Sequence, residues 1–292
     1  MDLEEKKAYI GFNVFEGIGP ARFKLLYDYF GSTKRAFDAP EKDLREINLG
    51  EKLILRFINF RRGWNGASYF LRLKSLGIEV LCSGEESYPK LLKETADFPL
   101  VLYIKGLRKF SLNDQKAIAI VGTRKVTAYG REVTAMITRG LVKNNFVIVS
   151  GLARGVDKIV HEETINNHGL TIAVLGCGLD LIYPPEHQEL ANNIVSSGGW
   201  LISELPLGTL PEGKNFPARN RIISGLSLGV VITEAAEKSG SLITASFAAE
   251  QGREVFAVPG PITSSLSEGT AELIKKGAKA VSKVEDILEE LK

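Results

Sequence analysis

The sequence predicts an α/β fold in which a small all-helical region precedes a doubly wound, mostly parallel sheet of extended Rossmann-like type. From residue 116 onward, short apolar runs alternate with segments of helical periodicity. The runs are AIAIVG, FVIVSG, TIAVLG, WLISE, GVVITEA and EVFAVPG. Continuous apolar runs of this length are typical of parallel strands that are buried on both faces and connected by helices. Before residue 77 the apolar residues recur at helical spacing alone.

The helical region, residues 1–76, is predicted to be a separate N-terminal domain of helix-hairpin-helix or SAM-like type. Its most specific stretch is GIGPARFKLLYDYFGS, in which a Gly-Ile-Gly turn precedes a helix whose first position is Pro20. In such a hairpin, glycines let backbone N–H groups at a helix N-terminus approach a phosphate closely. An ordinary junction between two helices would need the same glycines. A DNA contact at this hairpin and a purely structural role therefore both stay open.

Residues 77–292 are predicted to form the second domain, which contains the sheet. Two short strand patterns, IEVLC and LVLYIKG, flank a helix-like YPKLLKET and predict an extension at one edge of the sheet. A last short helix is predicted at VEDILEELK. The helices between the strands are predicted at residues 127–143, 155–168, 184–196, 216–226 and 241–251.

Composition limits the class of protein without deciding its function. The 292 residues are 44% hydrophobic and 25% charged, as in folded globular proteins, and the net charge of +2 is too small to indicate a nucleic-acid partner. Cys82 and Cys177 form no CxxC pattern, so neither a disulfide framework nor a cysteine zinc site is expected. The start MDLEEKKAYI is unlike a secretory signal and no 18-residue apolar run follows it. The sequence therefore predicts a cytoplasmic protein without membrane contact.

The loops after the strands carry the candidate site residues, because loops and helix N-termini of such a sheet converge at its carboxyl edge. The first loop, VGTRKVTAYG, offers Gly122 for a tight turn, Thr123 as a hydrogen-bonding group and Arg124 as a donor fork for phosphate oxygens. It lacks the GxGxxG and GxxxxGKS/T spacings of dinucleotide and nucleoside-triphosphate sites, so no nucleotide cofactor is expected. The second loop, SGLARGVD, adds Ser150, Gly151 and Arg154.

Two further loops complete the candidate site. The longest, GTLPEGKNFPARNRIISG, mixes cations with an aromatic ring and an amide, which suits single-stranded nucleic acid because an unstacked base can stack on the ring. Phe216 filling core beneath the loop is the open alternative. The small residues in EKSGSLITA permit close approach of a ligand or of a neighbouring loop. Together these loops supply Lys214, Phe216, Arg219, Asn220, Arg221, Ser239 and Gly240.

Polar residues near these loops resemble catalytic groups without their usual companions. Asp180 and His187 follow the third strand, and Glu234 and Glu237 follow the fifth. No HExxH pattern, serine elbow or cysteine cluster accompanies them. Structural and helix-capping roles are therefore favoured for Asp180 and His187. Glu234 and Glu237 are a candidate carboxylate pair for hydrolysis, but no nucleophile, metal cluster or poised histidine accompanies them, so neither a catalytic residue nor a metal ligand is expected.

Seven blocks in a fixed order carry a family resemblance: VGTR followed by TAYG, SGLARGVD, AVLGCGLDLIYPPEH, LISELPLG, FPARNRIISGLS, SGSLITA and EQGREVFAVPG. Over residues 80–282 the sequence resembles the DNA processing protein A (DprA/Smf) family, and GIGP fits the small N-terminal domain of many members. The resemblance implies that Gly122, Thr123 and Arg124 form a phosphate loop. It assigns the family's FPxRN segment to Phe216, Arg219 and Asn220, with Lys214 and Arg221 as weaker additions.

The family resemblance implies a binding protein and not an enzyme. It implies that the protein binds single-stranded DNA, protects it during natural transformation, helps to load the RecA recombinase and forms a homodimer. No cofactor is expected. The alternative is a nucleotide-processing enzyme related to the lysine-decarboxylase-like phosphoribohydrolases, which share the fold. Those enzymes carry a PGGxGT loop followed by a glutamate, where this sequence has EKSGSLITA. A third hypothesis is an interaction scaffold whose pocket has no ligand.

Overall fold

The computed structural model describes residues 1–291 and has the mixed α/β architecture that the sequence predicts. Helices alone precede the first strand, as predicted. They are α1 (Leu3–Val14), α2 (Pro20–Phe30), α3 (Thr33–Asp38), α4 (Glu41–Arg45), α5 (Glu51–Gly63) and α6 (Gly66–Ser75).

Helix α2 begins and ends at the residues that its sequence favours. Gly19 is the N-cap and Pro20 takes the first helical position, where its missing N–H removes no helical hydrogen bond. Gly31 ends the helix with a left-handed φ of 71°, a conformation that glycine adopts without strain. The predicted hairpin helix is therefore present.

Aromatic packing explains the helical spacing of apolar residues in this region. The Phe12 ring is fully buried, and its centroid lies 5.6 Å from that of Phe23 and 5.2 Å from those of Phe37 and Phe57. These rings come from four positions on α1, α2, α3 and α5. Aromatic pairs at these separations stabilise a core beyond the area they bury.

The second part of the chain alternates strands and helices. Its strands are β1 (Ile78–Cys82), β2 (Val101–Lys105), β3 (Ala117–Val121), β4 (Val147–Ser150), β5 (Thr171–Val174), β6 (Trp200–Ser203), β7 (Gly229–Ile232), β8 (Glu254–Ala257) and β9 (Lys279–Ala280). Its helices are α7 (Lys90–Lys93), α8 (Ala128–Lys143), α9 (Val156–Asn166), α10 (Gln188–Ser196), α11 (Asn215–Gly225), α12 (Gly240–Glu250), α13 (Glu268–Lys275) and α14 (Glu285–Glu290).

The strands form one sheet in the order β1-β2-β6-β5-β4-β3-β7-β8-β9. Strands β3 to β9 pair in parallel, whereas β1 and β2 form the predicted extension at one edge, beside β6, and pair antiparallel. Ala119 of β3 lies opposite Val149 of β4 on one side and Val230 of β7 on the other. The chain therefore winds outward from β3 in both directions, which opens a crevice at the carboxyl ends of these strands.

Alternate residues of β3 pack into different layers. Ile118 and Ile120 belong to a buried cluster with Ile137 of α8 and Val160 of α9. Ala117, Ala119 and Val121 instead belong to a cluster that includes Ile222 of α11 and Ala245 of α12. Helices thus cover both faces of the sheet, which is why its central strands read as continuous apolar runs.

The helical region and the sheet share a continuous apolar cluster. Phe12 and Leu26 belong to the same buried cluster as Val101 and Tyr103 of β2. The Tyr103 hydroxyl donates to Asn13 Oδ1 at 2.7 Å. The boundary at residues 76 and 77 coincides with the change from helices to strands, and the division into two separate domains stays a prediction.

Two further sequence predictions concern the cysteines and membrane contact. Cys82 and Cys177 are buried, and burial raises the pKa of the Cys177 thiol to about 11. This thiol is therefore protonated at neutral pH and packs as a small apolar group. Within residues 1–291, no helix combines the length and the apolar character needed to cross a bilayer.

Candidate functional site

A cavity of ≈ 450 Å³ opens at the carboxyl edge of the sheet. The loops after β3 and β4 and the first turns of α11 and α12 form its walls. This is the edge at which ligands bind in doubly wound sheets. Of the predicted site residues, those that line the cavity are Gly122, Arg124, Phe216, Arg219, Asn220, Ser239 and Gly240.

The loop after β3 is fixed by Glu234, which follows β7. The Thr123 N–H donates to the Glu234 carbonyl at 2.7 Å, and the buried Glu234 carboxylate accepts from the Thr127 N–H and hydroxyl at 2.9 and 2.6 Å. A Cβ at Gly122 would lie 2.9 Å from the same carbonyl, so this turn requires glycine. The Thr123 side chain is buried and does not line the cavity. The loop therefore presents Arg124 and not Thr123 to a ligand.

Arg124 and two aromatic rings form one wall of the cavity. Arg124 is exposed, and its Cζ lies 5.9 Å from the Phe216 ring centroid. The Tyr183 and Phe216 rings are tilted by 42°, with 5.4 Å between their centroids. Among the ion pairs of residues 1–291, none involves Arg124. This wall combines an available cation for a phosphate with rings on which a base can stack.

Arg219 lies in the floor of the cavity and is buried. Its Nη1 donates to the carbonyl of Gly151 at 2.6 Å and to the carbonyl of Val174, and its Nε donates to Asn220 Oδ1 at 3.2 Å. Burial lowers the pKa of Arg219 to about 10, and the nearby Asp157 carboxylate opposes this shift. The guanidinium is thus engaged with the protein's own backbone.

The loop after β4 contributes less to the cavity than the sequence suggested. The Ser150 hydroxyl is buried and donates to the Ile120 carbonyl at 2.7 Å. Arg154 is exposed and pairs with Glu186 at 2.5 Å. Neither side chain lines the cavity, whereas the intervening Ala153 does.

The N-terminus of α12 forms another part of the wall. Ser239 is its N-cap, and Asn220 Nδ2 of α11 donates to the Gly240 carbonyl at 3.3 Å. The unpaired N–H groups and partial positive charge of a helix N-terminus favour an anion nearby. Ser239 and Gly240 therefore line the cavity at a helix N-terminus, and their contact with a phosphate stays a prediction.

Lys214 and Arg221 lie outside the cavity lining. Lys214 is exposed and pairs with Glu212 at 2.8 Å. Arg221 pairs with Glu204 and, at 3.1 Å, with Asp97. Burial raises the pKa of the Glu204 carboxyl, and Arg221 opposes this shift. Arg221 thus joins α11 to the residue that follows β6.

Tyr183, Asp157 and Ser241 line the cavity but were not among the predicted site residues. Tyr183 follows β5 in the run IYPPEH, so an aromatic residue in a carboxyl-edge loop was the available signal. Asp157 is the last residue of the second candidate loop, SGLARGVD, and is buried in the first turn of α9. Ser241 offers no comparable sequence signal.

A family model described as DNA recombination-mediator protein A matches residues 79–292. The chain belongs to this family. Over its whole length the chain is 38% identical to protein Smf of Synechocystis sp., covering 74% of that protein. Across 74% of its length it is 46% identical to DNA processing protein DprA of Bacillus subtilis, covering 72% of that protein. The resemblance found in the sequence is confirmed.

Solved structures of two proteins of this family resemble the chain. DNA processing protein A of Streptococcus pneumoniae has a TM-score of 0.81 and 33% identity, over 98% of this chain and 95% of the other. That of Helicobacter pylori, a structure concerned with its single-stranded DNA binding mode, has a TM-score of 0.65 and 34% identity, over 73% and 95%. The Rossmann-like fold is therefore confirmed.

The side chains that resemble catalytic groups form hydrogen bonds within the protein. Both Glu234 carboxylate oxygens accept hydrogen bonds from Thr127. His187 is buried and its Nδ1–H donates to the Leu152 carbonyl at 2.8 Å, while Asp180 accepts from the Gly208 N–H at 2.9 Å. Within residues 1–291, no group of His, Cys, Asp and Glu residues could hold a metal ion. These contacts agree with the structural roles favoured for Asp180 and His187.

Proposed function

We propose that this protein binds single-stranded DNA in the cavity at the carboxyl edge of the sheet, protects incoming DNA in this way and delivers it to a RecA recombinase during natural transformation. The observation that carries the proposal is the exposed Arg124 guanidinium beside the Phe216 and Tyr183 rings. Arg124 and the N-terminus of α12 would bind phosphate oxygens, and an aromatic ring would stack a base. The DNA-binding mode named for the H. pylori relative supports this assignment.

The proposed function is binding without turnover. The alternative enzyme would need a carboxylate free to act at the cavity. Glu234 uses both oxygens to hold the loop after β3, and Asp157, which lines the cavity, is buried and accepts from the Gly151 and Ala153 N–H groups. The cavity instead offers a cation, a helix N-terminus and aromatic surface, none of which reads a base sequence. We therefore propose a DNA-binding protein that is not an enzyme and needs no cofactor.

A homodimer fits this proposal because two cavities on one strand raise the overall affinity without any new type of contact. Such binding would also occupy a longer stretch of DNA. Light scattering of the free protein and of its oligonucleotide complex measures whether two copies are present.

Fluorescence anisotropy of a labelled single-stranded oligonucleotide tests the proposed function. Wild type, Arg124→Ala and Lys143→Ala are titrated over a series of salt concentrations, with duplex DNA as competitor. Lys143 ends α8 and lines a separate cavity with Val147, the first residue of β4, so it controls for loss of one positive charge at the opposite edge.

We expect salt-sensitive, single-strand-selective binding by wild type and by Lys143→Ala. Loss of one phosphate contact in Arg124→Ala should reduce the slope of log K against log salt by about 0.7. Binding that is indifferent to Arg124, or no binding by wild type, would contradict the proposal. Delivery to the recombinase is measured separately, by whether wild type but not Arg124→Ala speeds RecA assembly on the same oligonucleotide.

A further inference from the structure

A buried arginine side chain forms hydrogen bonds to backbone carbonyls at the floor of the cavity. Arg219 lies on α11 and is 6% exposed. Its Nη1 donates to the carbonyl of Gly151, which follows β4, and to that of Val174, which ends β5. A single guanidinium thus connects α11 to the carboxyl ends of two neighbouring strands. The same helix carries Phe216 into the cavity wall.

Asp157 holds the same backbone from the other side. Its Oδ2 accepts from the N–H groups of Gly151 at 3.1 Å and Ala153 at 3.2 Å. The peptide groups around Gly151 are therefore fixed by Asp157 through the N–H and by Arg219 through the carbonyl. The carboxylate also offsets the charge of the buried guanidinium, which reduces the attraction that Arg219 can offer to a phosphate.

Gly151 leaves the space that the guanidinium occupies. A Cβ at this position would lie 2.5 Å from Arg219 Nη1 and 2.6 Å from its Cζ. Real Cβ contacts do not reach these distances, so any larger residue must displace Arg219. Close approach of the Arg219 side chain, and not of a phosphate, therefore explains the glycine that follows β4.

We infer that Arg219 is a positioning residue and not a phosphate ligand: it orients α11 so that Phe216 meets Arg124 at the cavity wall. The inference rests on the proposed function. A guanidinium that turned toward a phosphate would leave the buried carbonyls of Gly151 and Val174 without their donor, which is unfavourable. Arg124 supplies the cation, and Arg219 determines where the neighbouring ring lies.

Gly151→Ala tests the positioning role because it keeps the charge of Arg219 and moves only its guanidinium. Gly151 is not among the glycines with positive φ, so its backbone accepts alanine. Gly63→Ala is the matched control, since a Cβ there meets open space at the end of α5. A second variant, Arg219→Lys, keeps the charge but loses the planar fork.

We expect Gly151→Ala and Arg219→Lys to weaken oligonucleotide binding about tenfold, with an unchanged salt slope, and Gly63→Ala to bind like wild type. The effect of Gly151→Ala should largely disappear in a Phe216→Ala background and persist in an Arg124→Ala background. A salt slope that falls in Arg219→Gln but not in Arg219→Lys would make Arg219 a phosphate ligand. A lower melting temperature of Gly151→Ala and Arg219→Lys with unchanged oligonucleotide affinity would show that Arg219 has only a structural role. This result and the fall in salt slope would each overturn the inference.

Hydrogen exchange of the free protein tests the same inference without DNA. Gly151→Ala should speed exchange of the amides in the first turns of α11, while amides of β3 and β4 keep their protection. Gly63→Ala should leave both regions unchanged. Unchanged exchange in α11 overturns the positioning role even if wild type binds no oligonucleotide, so failure of the inference and failure of the proposed function are separate results.

Discussion

The Arg124 guanidinium lies over the Phe216 ring, with 5.9 Å between Cζ and the ring centroid. The cation comes from the loop after β3 and the ring from α11, and both line the same cavity. A phosphate of a single nucleic-acid strand could therefore bind Arg124 while a neighbouring base stacks on Phe216. Because charge contacts depend on salt and stacking does not, their contributions can be measured separately.

Removing the Phe216 ring should weaken single-stranded DNA binding without changing its salt dependence. Loss of one stacked base costs about 1–3 kcal/mol, which raises Kd roughly 5- to 150-fold. Anisotropy titrations of Phe216→Ala, with Phe216→Trp as a control that keeps an aromatic face, measure this effect. Wild-type affinity in Phe216→Ala would show that the ring only fills space beneath the loop.

Buried His161 should make the protein less stable as pH falls. Burial, followed by His187 and Arg219, lowers its pKa from 6.5 to about 3, while its Nδ1 bonds to the Thr171 hydroxyl at 2.8 Å. Between these values the unfolded chain binds a proton that the folded chain does not. The His161 contribution therefore lowers the free energy of unfolding by up to about 1.4 kcal/mol for each pH unit below 6.5.

Urea unfolding between pH 7 and pH 5 measures the His161 contribution. His161→Gln cannot titrate, so its stability should depend less on pH than that of wild type. His168→Asn is the control, because His168 is exposed and asparagine accepts its φ of 56°. Equal pH dependence in His161→Gln and wild type would contradict this prediction.

The contact between Tyr103 and Asn13 should contribute to the stability of the whole chain. Tyr103→Phe removes the 2.7 Å hydrogen bond from β2 to α1 and leaves the Asn13 oxygen without this donor, at a cost of about 1–2 kcal/mol. Urea unfolding, with Tyr27→Phe on the exposed face of α2 as control, measures the change. A single unfolding transition whose urea midpoint falls in Tyr103→Phe would show that the helical region and the sheet unfold together. Two separate transitions would support independent domains at the predicted boundary.

Most of the sheet could be predicted because its strands are buried on both faces. Strands β3 to β8 coincide with the six apolar runs, and helices α8 to α12 coincide closely with the predicted helical segments. Strand β9 was missed because Lys279 and Ala280 are both exposed and form no apolar run. A two-residue edge strand depends on its pairing with β8 and not on its own composition.

The sequence predicted where the candidate site lies, but it predicted only some of the residues that line the cavity. The carboxyl edge of a parallel sheet gathers the loops that follow its strands, so Gly122, Arg124 and Phe216 meet as expected. Arg154 and Lys214 instead pair with neighbouring glutamates outside the cavity. Their sequence pattern identified cations in the right loops but not the direction of each side chain.

The sequence by itself determined the fold class, the family and the edge of the sheet at which the site lies. Apolar runs and glycine turns are patterns of a few consecutive residues, so they can be recognised without knowing any distant contact. Only the tertiary structure decided that Arg124 is exposed while Arg219, in an equally suggestive motif, is buried. The difference arises because the carbonyls of Gly151 and Val174 converge beneath α11 and bind the Arg219 guanidinium. The partners of an arginine depend on which distant backbone groups the fold brings to it, and local sequence does not encode that convergence.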